Sequence, residues 1–100
     1  MYDMSHLKKL KTLGQLAPAA WEGFESFDKA ALADGVIPAR TKELMAVAVA
    51  LTTQCPYCIE IHSKKARAAG CTEAEIAETV MVAAALRAGA AITHGTHCLA

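Results

Sequence analysis

The chain lacks a charge of either sign to spare: ten Lys and Arg residues offset ten Asp and Glu residues. Neither sign forms a run, which excludes the electrostatic footprint of a nucleic-acid binder or of a protein drawn to an anionic membrane, and a small, uncharged partner is expected instead. The opening Met1-Tyr2-Asp3 shows no basic, apolar, small-residue progression of a secretory signal. The longest apolar run, Leu44 to Leu51, falls far short of a bilayer span. These absences predict a cytosolic protein with no membrane partner. No segment alternates polar and apolar residues as a half-buried strand does, and 22 alanines favour helix throughout. The expected fold class is all-α.

One hundred residues are expected to form a single domain over 1–100, and a chain this short buries only about two-thirds of the surface its unfolded form exposes. Its hydrophobic fraction of 54% exceeds the roughly 45–50% of ordinary domains. Some apolar surface is therefore left without an intrachain partner, and a homo-oligomer is expected.

Five to six helices follow from periodicity and punctuation. Leu7, Leu10 and Leu13 predict a short amphipathic helix within Ser5 to Leu16, ending near Gly14. Pro18 opens a second, in which Trp21, Phe24, Phe27 and Leu32 recur at helical spacing and read as core, with Asp34-Gly35 as its stop. A third runs from Pro38 or Ala39 to about Thr53 and is apolar on every side between Leu44 and Leu51. Cys55-Pro56 opens a fourth, closed by Gly70, and Thr72 with Glu75 forms the capping box of a fifth. Gly89 is expected to interrupt or end that fifth helix, leaving a short last one from Ala90 to Cys98.

The chemistry concentrates between Glu43 and His62. Glu43 is followed after eleven residues by Cys55-Pro56-Tyr57-Cys58 and, three residues later, by His62. In a cytosol that keeps thiols reduced, a Cys-x-x-Cys pair is catalytic or metal-binding more often than structural. Positions 55, 58 and 62 stand at i, i+3 and i+7, so both sulfurs and the imidazole share one face of the fourth helix. Its N-terminus supplies free N–H groups that stabilise a thiolate, an effect expected to lower both Cys55 and Cys58 in the first turn. If the third and fourth helices form an antiparallel hairpin turning near Gln54, Glu43 lies roughly 16 Å before the turn, His62 roughly 12 Å after it and Cys58 roughly 6 Å after it, at about 1.5 Å per residue. Glu43 is thus level with His62 and out of reach of Cys58, which predicts a relay from Glu43 through His62 to Cys58.

Glu-x11-Cys-x-x-Cys-x3-His resembles the signature of the alkylhydroperoxidase AhpD-like group in the carboxymuconolactone decarboxylase superfamily, and the likeness extends over about residues 36 to 98. The resemblance implies an all-helical fold, a trimer or hexamer, and thiol peroxidase or disulfide-reductase activity. It implies no cofactor. A hydroperoxide or disulfide would be the substrate, and a dithiol or redox protein the electron donor. By this resemblance Cys58 attacks the peroxide and Cys55 resolves the resulting sulfenic acid as a disulfide. Tyr57 stands where AhpD itself has a histidine.

Other readings of the same residues remain open. A decarboxylase of the wider superfamily is one, although that branch lacks the cysteine pair. A zinc site formed by Cys55, Cys58 and His62 with His94, His97 or Cys98 is another. Glu43 could serve in a plain buried ion pair with Arg40 or with an arginine of another subunit. His94 and His97 read as packing or surface residues, and Cys71 as a small semi-buried one. A non-catalytic oligomerisation module would have no use for Glu43 and His62 flanking two thiols.

Overall fold

The computed structural model describes residues 2–100. It comprises α1 (Lys9–Leu16), α2 (Pro18–Leu32), α3 (Ala39–Thr53), α4 (Pro56–Ala68) and α5 (Glu73–Gly95), with single 3-10 segments at Met4–Lys8 and Thr96–Cys98. Among the described residues there is no strand. The chain divides into two compact units, Met1–Ala39 and Arg40–Ala100.

In the first unit the expected opening helix is split. Asp3 accepts the Ser5 N–H at 2.9 Å and starts a 3-10 turn, and α1 follows from Lys9 through Gly14 to Leu16. Gly14 is needed for packing, because a Cβ there would come within 2.7 Å of Trp21 Cδ1. Trp21 closes onto this gap, with the Phe24 ring 5.7 Å from its own. Of the aromatic stripe read as core, Trp21 alone is even half-buried, and α2 has no fully buried residue. Phe24 and Phe27 are exposed, since two short helices offer too little surface to cover a whole stripe. Asp34 Oδ1 then accepts the Ala39 N–H at 2.7 Å and so caps the start of α3.

The second unit carries the core. Val47 on α3, Ala66 on α4, Cys71 in the following turn and Ile76 on α5 are buried together, with Leu44 and Leu51 packed against them. Val47 keeps only 2% of its surface. Two turns of the same type set this arrangement. After α3 the Cys55 N–H reaches the Ala50 carbonyl at 3.0 Å across Gln54, whose φ of 56° is left-handed. After α4 the Cys71 N–H reaches the Ala66 carbonyl at 2.9 Å across Gly70, whose φ is 92°. Both are Schellman closures, and Gly70 adopts the conformation without the strain that Gln54 carries. The first turn folds α4 back antiparallel to α3, as the hairpin arithmetic requires.

Helix α5 begins with the capping box read from Thr72 and Glu75. It does not stop at Gly89. One continuous helix of 23 residues runs to Gly95, in place of the expected break and separate last helix. A helical glycine costs only about 1 kcal/mol relative to alanine, and the surrounding alanines and leucine propagate the helix across it. By length and composition alone, Glu73–Cys98 is long and apolar enough to cross a membrane, with mean hydropathy 1.4 in its most apolar window. The longest uninterrupted apolar run does not reveal this, because α5 spreads its hydropathy over many alanines.

The start of α3 is tied to the α4–α5 turn by Arg40, whose guanidinium bonds to both Glu75 Oε1 and the Gly70 carbonyl. The Arg40 bond, together with the Thr72 N–H, holds the Glu75 carboxyl down at about 2, against an ordinary value of 4.5. A depressed carboxyl stabilises the fold above its unfolded value and loses that contribution as pH falls toward its folded value. Far-UV dichroism is therefore expected to show stability falling between pH 4.5 and 2, and Glu75→Gln should flatten that part of the profile while lowering stability at neutral pH.

Candidate active site

The cysteines sit where α3 ends and α4 begins. Cys55 is the residue before α4, and Pro56 occupies the first helical position, where its missing N–H costs nothing. Cys55 Sγ accepts the Cys58 N–H at 3.3 Å, acting as the helix cap. Its own sulfur lies 2.8 Å from Cys58 Sγ. All four cysteines are free thiols, and those of the pair are half-buried.

The Cys58 hydrogen bonds, first from the thiol and then from the backbone N–H, hold the Cys55 thiol below its ordinary value, and the Tyr57 N–H adds to them. Cys58 is pushed up to about 11, chiefly because its proton is engaged by Cys55 and also by burial and by the neighbouring negative charge. Helix position alone does not distinguish the two thiols, because both lie in the first turn. The cap geometry does: N–H groups point at Cys55.

Glu43 and His62 meet across the hairpin, with His62 Nδ1 at 2.7 Å from Glu43 Oε2. Their side chains retain only 13% and 18% of their surface, respectively. A carboxylate at such burial needs a partner, and the imidazole is that partner. Arg40, the alternative ion-pair partner of Glu43, is engaged by Glu75 instead. The bond through Nδ1 fixes the ring and leaves Nε2 for other chemistry. His62 lies one helical turn beyond Cys58, on the same face. Among the described residues no hydrogen bond joins Cys58 to His62, so the structure contains the carboxylate–imidazole and the thiol–thiol contacts as two separate pairs.

The suggested fourth zinc ligands are not gathered here. His94 and His97 are exposed at the end of α5, with ring centroids 6.2 Å apart, and Cys98 is exposed as well. No group of three or more potential metal ligands is assembled among the described residues. Cys71 is buried rather than semi-buried, and its thiol donates to the Arg40 carbonyl at 3.7 Å.

The sequence pattern of the carboxymuconolactone decarboxylase family matches residues 18–100. The chain belongs to this family. A protein of Paracoccus denitrificans called uncharacterized protein 4 in cox locus is 46% identical over 103 residues, covering 100% of this chain and 93% of the relative. An uncharacterized protein of Cupriavidus necator is 33% identical, covering 93% of this chain and 82% of its own. Among solved structures, a carboxymuconolactone decarboxylase family protein from Legionella pneumophila in its apo form superposes with a TM-score of 0.78 at 34% identity, over 83% of this chain and 79% of that one. A protein from Methanobacterium thermoautotrophicum gives 0.82 at 34% identity, over 86% of this chain and 97% of that one. Membership in the carboxymuconolactone decarboxylase family and an all-α fold are thus both shown.

Proposed function

We propose that this family member is a thiol-dependent peroxidase and disulfide oxidoreductase of the cytosol, working through Cys55 and Cys58. The observation that carries this reading is the thiol pair at the start of α4, with sulfurs 2.8 Å apart, on the same helix as a histidine held by a half-buried carboxylate. The Cys58 sulfur attacks the outer oxygen of a hydroperoxide, and the O–O bond breaks. The Cys58 proton passes by way of His62 to the departing alkoxide, giving the alcohol and a Cys58 sulfenic acid. The Cys55 thiolate then attacks the Cys58 sulfur and expels hydroxide, forming the disulfide. A dithiol or a redox protein returns two electrons and reopens the pair. The lowered Cys55 thiol suits the resolving role, since its thiolate forms more readily than that of an ordinary cysteine.

The test is hydroperoxide consumption with a small dithiol donor. Wild type should turn over and lose two free thiols to stoichiometric peroxide, whereas Cys58→Ser should not turn over. Retention of all four thiols after oxidation would remove the peroxidase reading. The apolar face of α5, where Met81, Val82, Leu86 and Ile92 are exposed, supports assembly into a trimer or hexamer. A monomeric mass by light scattering at micromolar concentration would argue against it.

A further inference from the structure

The carbonyl end of α3 is closed by a residue from far along the chain. Thr52 is among the last four residues of α3, whose carbonyls have no intrahelical N–H to accept. Arg87 of α5 fills this place, its Nη1 donating to the Thr52 carbonyl at 2.6 Å across 35 residues of sequence. Two carbonyls near this end have local donors instead. The Thr53 hydroxyl lies 3.0 Å from the Val49 carbonyl, and the Cys55 N–H lies 3.0 Å from that of Ala50. A guanidinium at this position also complements the negative end of the α3 dipole.

What Arg87 holds is the turn that presents the thiols. Only Gln54 and Cys55 separate α3 from α4, and Gln54 is in the left-handed region at φ 56°. A residue with a side chain is held there at a cost, so the turn depends on its closing contacts. The same Gln54 and Arg87, with Leu51, Val80, Ala83 and Ala84, line a cavity of about 300 Å³ beside the turn. The turn thus has open space on the side where Arg87 restrains it. If it relaxes, Cys55 Sγ moves off the Tyr57 and Cys58 N–H groups and away from Cys58 Sγ.

We infer that Arg87 is a positioning residue for the thiol pair, setting the acidity of Cys55 and the stability of the Cys55–Cys58 disulfide by fixing the α3–α4 turn through the Thr52 carbonyl. The inference rests on the redox reading of this pair, but its first readout does not require peroxidase activity. Arg87→Ala, Arg87→Gln and Arg87→Lys are compared with wild type by the pH dependence of Cys55 alkylation with iodoacetamide, resolved by mass spectrometry. The equilibrium of the pair with glutathione is measured in parallel. In Arg87→Ala the Cys55 titration should move upward, and the equilibrium constant for disulfide formation should fall about three- to tenfold as the thiols lose their fixed separation. Arg87→Lys, which keeps a charged donor, should recover part of both effects, and Arg87→Gln less. A residue that only stabilised the fold would lower the melting temperature and leave both thiol measurements unchanged. That result in folded Arg87→Ala overturns the inference, as does wild-type behaviour in Arg87→Gln should the alanine variant fail to fold. A wild-type protein that consumes no hydroperoxide but shows the Arg87-dependent Cys55 titration would remove the peroxidase reading and leave this one standing.

Discussion

His62→Ala is expected to slow hydroperoxide consumption by about 10²- to 10⁴-fold, the usual worth of a positioned general base. The imidazole lies one helical turn beyond Cys58 on the same face of α4, and its Nδ1 is held by Glu43 Oε2 at 2.7 Å. Glu43→Gln should cost less than His62→Ala, because an amide oxygen still accepts the Nδ1–H but no longer stabilises the imidazolium formed as the thiol proton arrives. The double variant should be scarcely slower than His62→Ala alone, since residues that act as a unit are not additive. Steady-state rates for the three proteins, with far-UV dichroism to show that each is folded, decide the matter. The outcome that breaks the relay is Glu43→Gln unfolding the chain with the thiol titration unaltered, for then the carboxylate serves only as a buried partner.

The second large effect concerns which thiol ionises. Cys58 is held up at about 11 by its bond to Cys55 first, then by burial and by the Cys55 charge. Cys55→Ser removes the thiolate but keeps an oxygen able to cap α4, so the Cys58 thiol should fall back toward its ordinary value of 9.0. A full return would raise its thiolate fraction at neutral pH by about 100-fold. A less basic thiolate is a weaker nucleophile, with a Brønsted slope of about 0.4–0.5, and burial retains part of the shift, so the expected gain in Cys58 alkylation rate is about three- to tenfold. The reverse variant, Cys58→Ser, should keep the Cys55 titration depressed, since a hydroxyl donates at least as well as a weakly donating thiol and the backbone N–H at position 58 remains. Site-resolved alkylation between pH 6 and 10 reads both. Slower Cys58 alkylation in Cys55→Ser would show that Cys55 does not hold the charge of the pair. Because the two groups titrate as one system, the wild-type curve belongs to the pair and only the variants separate the sites.

What the sequence by itself determined is everything governed by period and local chemistry. Alanine content and helical spacing make the chain all-α. Pro56 places the start of α4, Thr72 with Glu75 starts α5, and rise per residue brings Glu43 level with His62, since a helix has a fixed pitch and a two-residue turn leaves little freedom. Local signals failed at Gly89, where a weak breaker was overruled by the helix on both sides, and at Phe24 and Phe27, whose spacing marks a stripe but not what covers it. Tertiary structure alone decided how the charges pair. Arg40 stands three residues from Glu43 yet bonds to Glu75, and Arg87 reaches the Thr52 carbonyl across 35 residues. The asymmetry between Cys55 and Cys58 belongs with these. Sequence spacing puts both thiols in one helical turn, but which one is lowered depends on where the N–H groups of that turn point.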